Sequence, residues 1–128
     1  MNNDNLTRWH KIVQDRDWPA LNEMLDENVE FHSPFVWSPK RGRQVTAFIL
    51  KNVVEVLADF AYHREWVDSD SMALEFSAKI GELSVKGIDL IRFNENNKIV
   101  HFEVMLRPAN ALMKVGEAMS ARIEKAGH

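Results

Sequence analysis

A chain of 128 residues with 45% apolar and 27% charged residues predicts one globular domain spanning residues 1–128, because cores divide only at greater lengths. Its net charge of -3 supplies no positive field, so we expect neither nucleic acid nor a membrane as a partner. The absence of cysteine excludes disulfides and thiolate chemistry, and the polar start carries no export signal, which predicts a cytoplasmic protein.

The first third of the chain predicts two short helices and a strand. Apolar residues recur every three or four positions over residues 6–13, as in an amphipathic helix. Asp17 is the expected N-cap of a second helix with Pro19 in its first turn. Apolar and polar residues then alternate over residues 29–33, which predicts a half-buried strand.

The remainder of the chain predicts a loop, a third helix, a sheet and a last helix. Residues 35–43 contain proline, glycine and basic residues typical of a loop. An apolar stripe over residues 45–57 predicts the third helix, and a last helix follows Pro108. Period-two patterns between them predict an antiparallel meander, with strands at residues 60–67, 72–80, 83–93 and 98–107.

The order of these elements predicts an α+β fold with helices gathered on one face of a curved sheet. A few helices cannot close a strongly bent sheet at both ends. We therefore expect a deep apolar cavity, which is the common form of a small-molecule site.

Four segments carry family motifs: Phe-His-Ser-Pro at residues 31–34, Arg-Gly-Arg at 41–43, Gly-Ile-Asp-Leu-Ile-Arg-Phe at 87–93 and Lys-Ile-Val at 98–100. With the order of elements, they resemble the nuclear-transport-factor-2-like superfamily, in its SnoaL-like branch. The resemblance implies a cone-shaped, curved antiparallel sheet with three helices on its concave face and a C-terminal helix. Members include ketosteroid isomerases, polyketide cyclases and proteins of no known activity, so the fold does not choose a reaction.

The comparison with ketosteroid isomerase concerns four positions. Asp89 falls where that family has its protonated oxyanion-hole aspartate. Ser33 stands where the family has its general-base aspartate, and a serine cannot do that work unaided. Trp9 and Leu50 replace two tyrosines. The resemblance therefore implies a related pocket but argues against authentic ketosteroid isomerase chemistry.

Strand parity and the family alignment predict the residues around the pocket. If Asp89 faces inward, Ile88 and Leu90 face the opposite side of the sheet. Phe35 and Trp37, in the loop after the first strand, either cover the cavity mouth or pack in the core. The predicted ligand contacts are Trp9, Phe31, Ser33, Trp37, Leu50, Phe76, Phe102 and Leu106.

Asp89 is the candidate for chemistry, since burial of an ionised carboxylate is costly unless it is paired or protonated. Desolvation would raise its pKa and let the neutral acid donate a hydrogen bond. Two roles stay open. Asp89 is either an acid, base or oxyanion donor in an isomerase, cyclase or dehydratase step, or a structural carboxylate that accepts from the Trp9 indole or a buried water.

The predicted outer face mixes both charge signs with apolar residues such as Ile88, Leu90 and Met105. This mixture favours a homodimer formed through the outer sheet face. His63 and His101 have no second ligand at metal-binding spacing along the chain, so no metal and no cofactor are expected. Two functions remain: a binding domain whose apolar pocket holds a hydrophobic small molecule, or an enzyme that uses Asp89.

Overall fold

The computed structural model describes residues 3–127 of the chain. Its helices and strands follow the predicted order. The helices are α1 (Asn3–Asp15), α2 (Trp18–Met24), α3 (Arg43–Val56) and α4 (Ala109–Lys125). The strands are β1 (Leu25–His32), β2 (Lys40–Arg41), β3 (Ala58–Asp68), β4 (Ser71–Ile80), β5 (Leu83–Phe93) and β6 (Ile99–Arg107). The predicted α+β class, with helices against a curved sheet and a C-terminal helix, is confirmed.

Local signals place the helix starts. The Asp17 carboxylate accepts a hydrogen bond of 3.1 Å from the backbone N–H of Ala20, which caps α2 as predicted. Gly42 precedes α3 with φ 114°, a backbone conformation that glycine adopts at little cost. The chain therefore turns into α3 at the predicted glycine.

The sheet has the strand order β2-β1-β6-β5-β4-β3. Strands β3 to β6 form the predicted antiparallel meander. Strand β1, however, pairs in parallel with β6, because the chain crosses over through α3 before it returns to the sheet. Strand β1 also begins four residues earlier than predicted, and β2 forms inside the predicted loop.

The core lies between the concave face of the sheet and the helices. Trp9 of α1 packs on Phe102 of β6 with ring centroids 5.3 Å apart. Helix α4 contacts α3 and strands β4, β5 and β6. Within residues 3–127, no helix combines the length and the apolar composition needed to cross a bilayer.

Gly87 allows close packing inside the sheet. It pairs with Phe76 of β4, and a Cβ at position 87 would collide with the end of the Phe76 ring and lie 2.6 Å from the carbonyl oxygen of Met105. The Phe76 ring can therefore approach this strand so closely only because residue 87 is glycine.

Candidate functional site

A cavity lies between the concave sheet face and helices α1, α2 and α3. Its volume is about 40 Å³, enough for one or two water molecules. Typical small-molecule sites measure roughly 300–1,000 Å³, so the space is largely filled by side chains. The lining is apolar except for two polar side chains, and it consists of Trp9, Ile12, Val13, Trp18, Leu21, Leu50, Val53, Val54, Leu57, Phe60, Tyr62, Phe76, Asp89, Phe102, Val104 and Leu106.

Three side chains from separate elements form a hydrogen-bonded line at the cavity wall. The Tyr62 hydroxyl, from β3, donates to Oδ2 of Asp89 on β5 at 2.8 Å. The Trp9 indole N–H, from α1, donates to the Tyr62 hydroxyl oxygen at 2.9 Å. Asp89 and Trp9 are only 5% and 3% exposed. The line therefore joins a buried carboxyl to two donors, of which Trp9 is buried and Tyr62 is half-buried.

Burial controls the protonation of Asp89 and Tyr62. It raises the pKa of Asp89 to about 7, although the hydrogen bond from Tyr62 opposes the rise by favouring the ionised form. Burial, followed by the charge of Asp89, raises the pKa of Tyr62 well above its ordinary value of 10. At neutral pH Tyr62 therefore stays a donor, while Asp89 exchanges between its neutral and ionised forms.

Asp89 has capacity for a further partner. Within the described part of the chain, its hydrogen bond from Tyr62 engages Oδ2 alone. No hydrogen bond from the described residues engages the other oxygen, Oδ1, and Asp89 lines the cavity. A carboxyl with a pKa close to neutral and an unoccupied oxygen can donate to or accept from such a molecule.

Some of the predicted ligand contacts line the cavity in the structure, and the others lie outside it. Phe31 is buried behind the cavity wall, with its ring centroid 6.1 Å from that of Phe102. Ser33 lies in a turn, where its hydroxyl accepts from the backbone N–H groups of Phe35 and Val36 at 3.2 and 3.3 Å. Trp37 is 95% exposed. The five other predicted contacts line the cavity together with Asp89: Trp9, Leu50, Phe76, Phe102 and Leu106.

The aromatic loop after β1 does not cover this cavity. Phe35 lies 3.3 Å from the position of a Cβ on Gly116 of α4, so it packs against the C-terminal helix. Trp37 has almost no protein contact surface, as its exposure indicates. In this structure neither Phe35 nor Trp37 covers the cavity, and Trp37 does not pack in the core.

Tyr62 is the site residue that sequence reasoning missed. For a structural Asp89 we considered the Trp9 indole or a buried water as the donor, but the donor is the Tyr62 hydroxyl, which stands between Asp89 and Trp9. The available signal was the alternation of Phe60 and Tyr62 along β3, which directs both side chains to the same face. Tyr62 is also the one tyrosine in the sequence.

The outer sheet face carries the mixed charges that the sequence predicts, with some of them paired inside the chain. Arg64 Nη2 and Lys86 Nζ lie 2.6 and 3.3 Å from Oε2 of Glu75. The hydrogen bond from Arg64 is the largest of the effects that lower the pKa of Glu75 to about 2. Trp66 and Met105 are 49% and 47% exposed on the same face.

Comparison with known proteins agrees with the motifs. The SnoaL-like domain family matches residues 6–102, and no curated protein matches the chain. A steroid delta-isomerase from Pseudomonas aeruginosa is 41% identical, with a TM-score of 0.93 over 97% of this chain and 92% of that one. A bacterial protein of cystatin-like fold from Silicibacter pomeroyi is 34% identical, with a TM-score of 0.89 over 94% of this chain and 85% of that one.

A more distant structure shares the fold alone. A nuclear-transport-factor-2-like protein from Mesorhizobium loti is 18% identical, with a TM-score of 0.72 over 83% of this chain and 90% of its own. The family match extends over most of the chain, and two relatives exceed 30% identity over nearly its whole length. This chain therefore belongs to the SnoaL-like domain family.

Proposed function

We propose that this chain binds a hydrophobic small molecule in the cavity and hydrogen-bonds an oxygen of that molecule through Asp89. The observation that carries the proposal is a single buried carboxyl in an apolar wall, with Oδ1 unoccupied by the described residues. Apolar walls with a few convergent polar groups are typical of small-molecule sites. The Pseudomonas aeruginosa relative is named a steroid delta-isomerase, and a steroid is a hydrophobic, oxygen-bearing molecule.

The cavity volume determines how such a molecule enters. At about 40 Å³ the cavity has no room for a ring, so binding requires the side chains that fill it to move. Leu50, Phe76 and Leu106 line the space. Leu106 is half-buried whereas Leu50 and Phe76 are buried, so of these three Leu106 has the most freedom to turn outward. We therefore expect the cavity to open as the ligand binds.

A second candidate function, proton transfer of the isomerase type, is favoured by the hydrogen bond between Tyr62 and Asp89. A group with a pKa of about 7 serves as base and acid at neutral pH. Ionised Asp89 would take a proton from a carbon beside a ketone and return it to another carbon of the same molecule. The double bond moves, and no co-reactant is consumed. Ser33 supplies no base, so Asp89 performs both transfers.

A ligand series of increasing size tests the binding proposal. We expect single-ring ketones and phenols to raise the Tm of the wild type and to quench the fluorescence of Trp9, which lies in the lining. Leu106→Ala should extend binding to larger members of the series. Trp37→Ser is the control, because Trp37 is exposed and does not line the cavity. Unchanged Tm values for every member would contradict the proposal.

Turnover separates the two functions. Isomerisation of an unconjugated ketone to its conjugated form produces a new ultraviolet absorption, which follows the reaction directly. Asp89→Asn keeps the shape of the side chain and removes its titratable proton, so turnover should be lost while the fold persists. Binding without turnover in the wild type would retain the first function and eliminate the second.

We also propose that two copies associate through the outer sheet face. Trp66 and Met105 are half exposed there, and they border shallow grooves that also include Ile88 and Leu90. An apolar patch of this kind is typical of an interaction surface. Light scattering should give the mass of a dimer at micromolar concentration, and Leu90→Arg should give the mass of a monomer. A monomeric wild type would end this proposal.

A further inference from the structure

Two histidines and two glutamates meet on the outer sheet face, opposite the cavity. Glu30 and His32 lie on β1, and His101 and Glu103 lie on the neighbouring β6. In the parallel register Glu30 pairs with His101, and His32 pairs with Glu103. Each histidine therefore has one glutamate beside it on its own strand and another across the sheet. We call these four residues the histidine–glutamate cluster.

The side chains of the cluster already converge. The His32 and His101 rings stack with centroids 4.6 Å apart. His32 Nε2 lies 2.6 Å from Oε1 of Glu30, and His101 Nε2 lies 3.1 Å from Oε1 of Glu103. One potential ligand atom from each of Glu30, His32 and His101 lies within 4.8 Å of the other two. The ligand atoms of a tetrahedral zinc ion stand roughly 3.3–3.5 Å apart. Because the lone pairs of stacked imidazoles are nearly parallel, both rings must rotate about χ2 to point at one ion, and this torsion has a broad range in histidine.

The core fixes the backbone beneath this cluster. Phe31 lies between Glu30 and His32, and Phe102 lies between His101 and Glu103. The two phenylalanines are 2% and 1% exposed and face each other in register. Their packing holds the strand register, so a bound ion would not have to order the backbone.

A further contact orients one carboxylate of the cluster. Arg41 Nη1 lies 2.8 Å from Oε2 of Glu30, while Oε1 of Glu30 faces His32. The arginine thus engages the oxygen that would not coordinate the ion. Partners of this kind, one step removed from the metal, fix the direction of the ligand.

From this arrangement we propose that Glu30, His32 and His101 form a zinc-binding site, with Glu103 beside the fourth coordination position. Two imidazoles and a carboxylate suit Zn²⁺, whereas Mg²⁺ and Ca²⁺ prefer oxygen ligands alone. The site lies on the sheet face opposite Asp89 and is independent of the function proposed for the cavity. Spacing along the chain does not reveal this cluster, because its two histidines lie on β1 and β6, which are distant in sequence.

Calorimetric titration of the untagged, metal-stripped chain with Zn²⁺ tests the site. We expect one ion per chain with a micromolar or tighter Kd. At a free zinc concentration a hundred times Kd, Tm should rise by roughly 5–10 °C. His32→Asn and His101→Asn should each weaken binding at least tenfold. His63→Asn is the matched control, because His63 bonds to Ser77 on another part of the sheet and its loss should leave the affinity unchanged.

Two results would overturn the site. One is the lack of saturable zinc binding by the wild type. The other is equal zinc affinity in the wild type and in His101→Asn, which would locate the ion elsewhere. If an asparagine variant fails to fold, Glu30→Gln gives the same test, since it removes the ligand charge and keeps the side-chain shape. An excess of Mg²⁺ over Zn²⁺ should not displace the ion, and displacement would contradict the assignment.

Discussion

The raised pKa of Asp89 predicts an unusual dependence of stability on pH. The folded protein holds a proton on Asp89 up to about pH 7, whereas the unfolded chain releases it near the ordinary value of 3.8. Between these two values the folded state binds more protons than the unfolded state. The free energy of unfolding therefore falls as pH rises through this window, and the contribution of Asp89 becomes constant above it.

The magnitude follows from the two pKa values. Each unit of difference corresponds to about 1.4 kcal/mol. Between pH 5 and pH 8, a folded-state pKa of about 7 removes about 2–3 kcal/mol of stability through this one group. Asp89→Asn does not titrate, so its stability lacks this component. The carbonyl of asparagine still accepts from Tyr62, which keeps the local hydrogen bond.

Urea unfolding at a series of pH values measures the effect. The free energy of unfolding of the wild type minus that of Asp89→Asn should fall by about 2–3 kcal/mol from pH 5 to pH 8. All other titrating groups are common to both proteins and cancel in the difference. Asp68→Asn, at the exposed end of β3, controls for the loss of one carboxylate. If the wild type and Asp89→Asn run parallel over this range, Asp89 is not a perturbed acid.

Three further substitutions have defined outcomes. Tyr62→Phe removes a hydrogen bond to the ionised form of Asp89, so the pKa of Asp89 should rise further, and urea unfolding should report a loss of about 1–3 kcal/mol. Gly87→Ala should lower Tm and destabilise the fold by about 1–3 kcal/mol, because the new Cβ displaces Phe76; an unchanged Tm would refute the packing described for this strand. Trp37→Ser should change stability by less than about 0.5 kcal/mol in the same assay, because its side chain is exposed.

Gly116→Ala is the control for the Gly87 substitution. Gly116 lies inside α4, where alanine is the better helix former by about 1 kcal/mol. Its new Cβ would lie 3.3 Å from the Phe35 ring, a tight contact at a half-exposed side chain that can move. We therefore expect a much smaller loss of Tm than at position 87.

Features of the fold that depend on local sequence were predictable. The cap at Asp17 follows from one side chain and one backbone N–H, and both lie within four residues. The inward position of Asp89 follows from strict alternation along β5, where neighbours such as Ile91 and Arg92 face opposite sides. In each case the physical cause lies inside a single element, so the pattern of residue types is sufficient.

Features that depend on the meeting of distant segments were not predictable in the same way. Tyr62 meets Asp89 only because β3 and β5 pair with opposite edges of β4 in the same sheet. His32 and His101 meet only because β1 joins β6 in parallel. The cavity volume depends on the rotamers of residues such as Leu50 and Phe76, which residue types alone do not specify. Long-range pairing and side-chain packing therefore account for what the sequence analysis missed.

The parallel pairing of β1 with β6 has a consequence for the order of folding. Strands β3 to β6 are joined by short turns, so their hairpins close small loops and can form early. Glu30 and His101, in contrast, are paired across the sheet at positions 71 apart in the chain. Closing so long a loop is entropically costly. We therefore expect β1 to pair only after the meander has formed and its β6 edge is available. During synthesis from the N-terminus, β1 emerges well before the strand that receives it. The domain is completed only after β6 has been made, and until then the edge of β1 that later pairs with β6 is open to association with other chains.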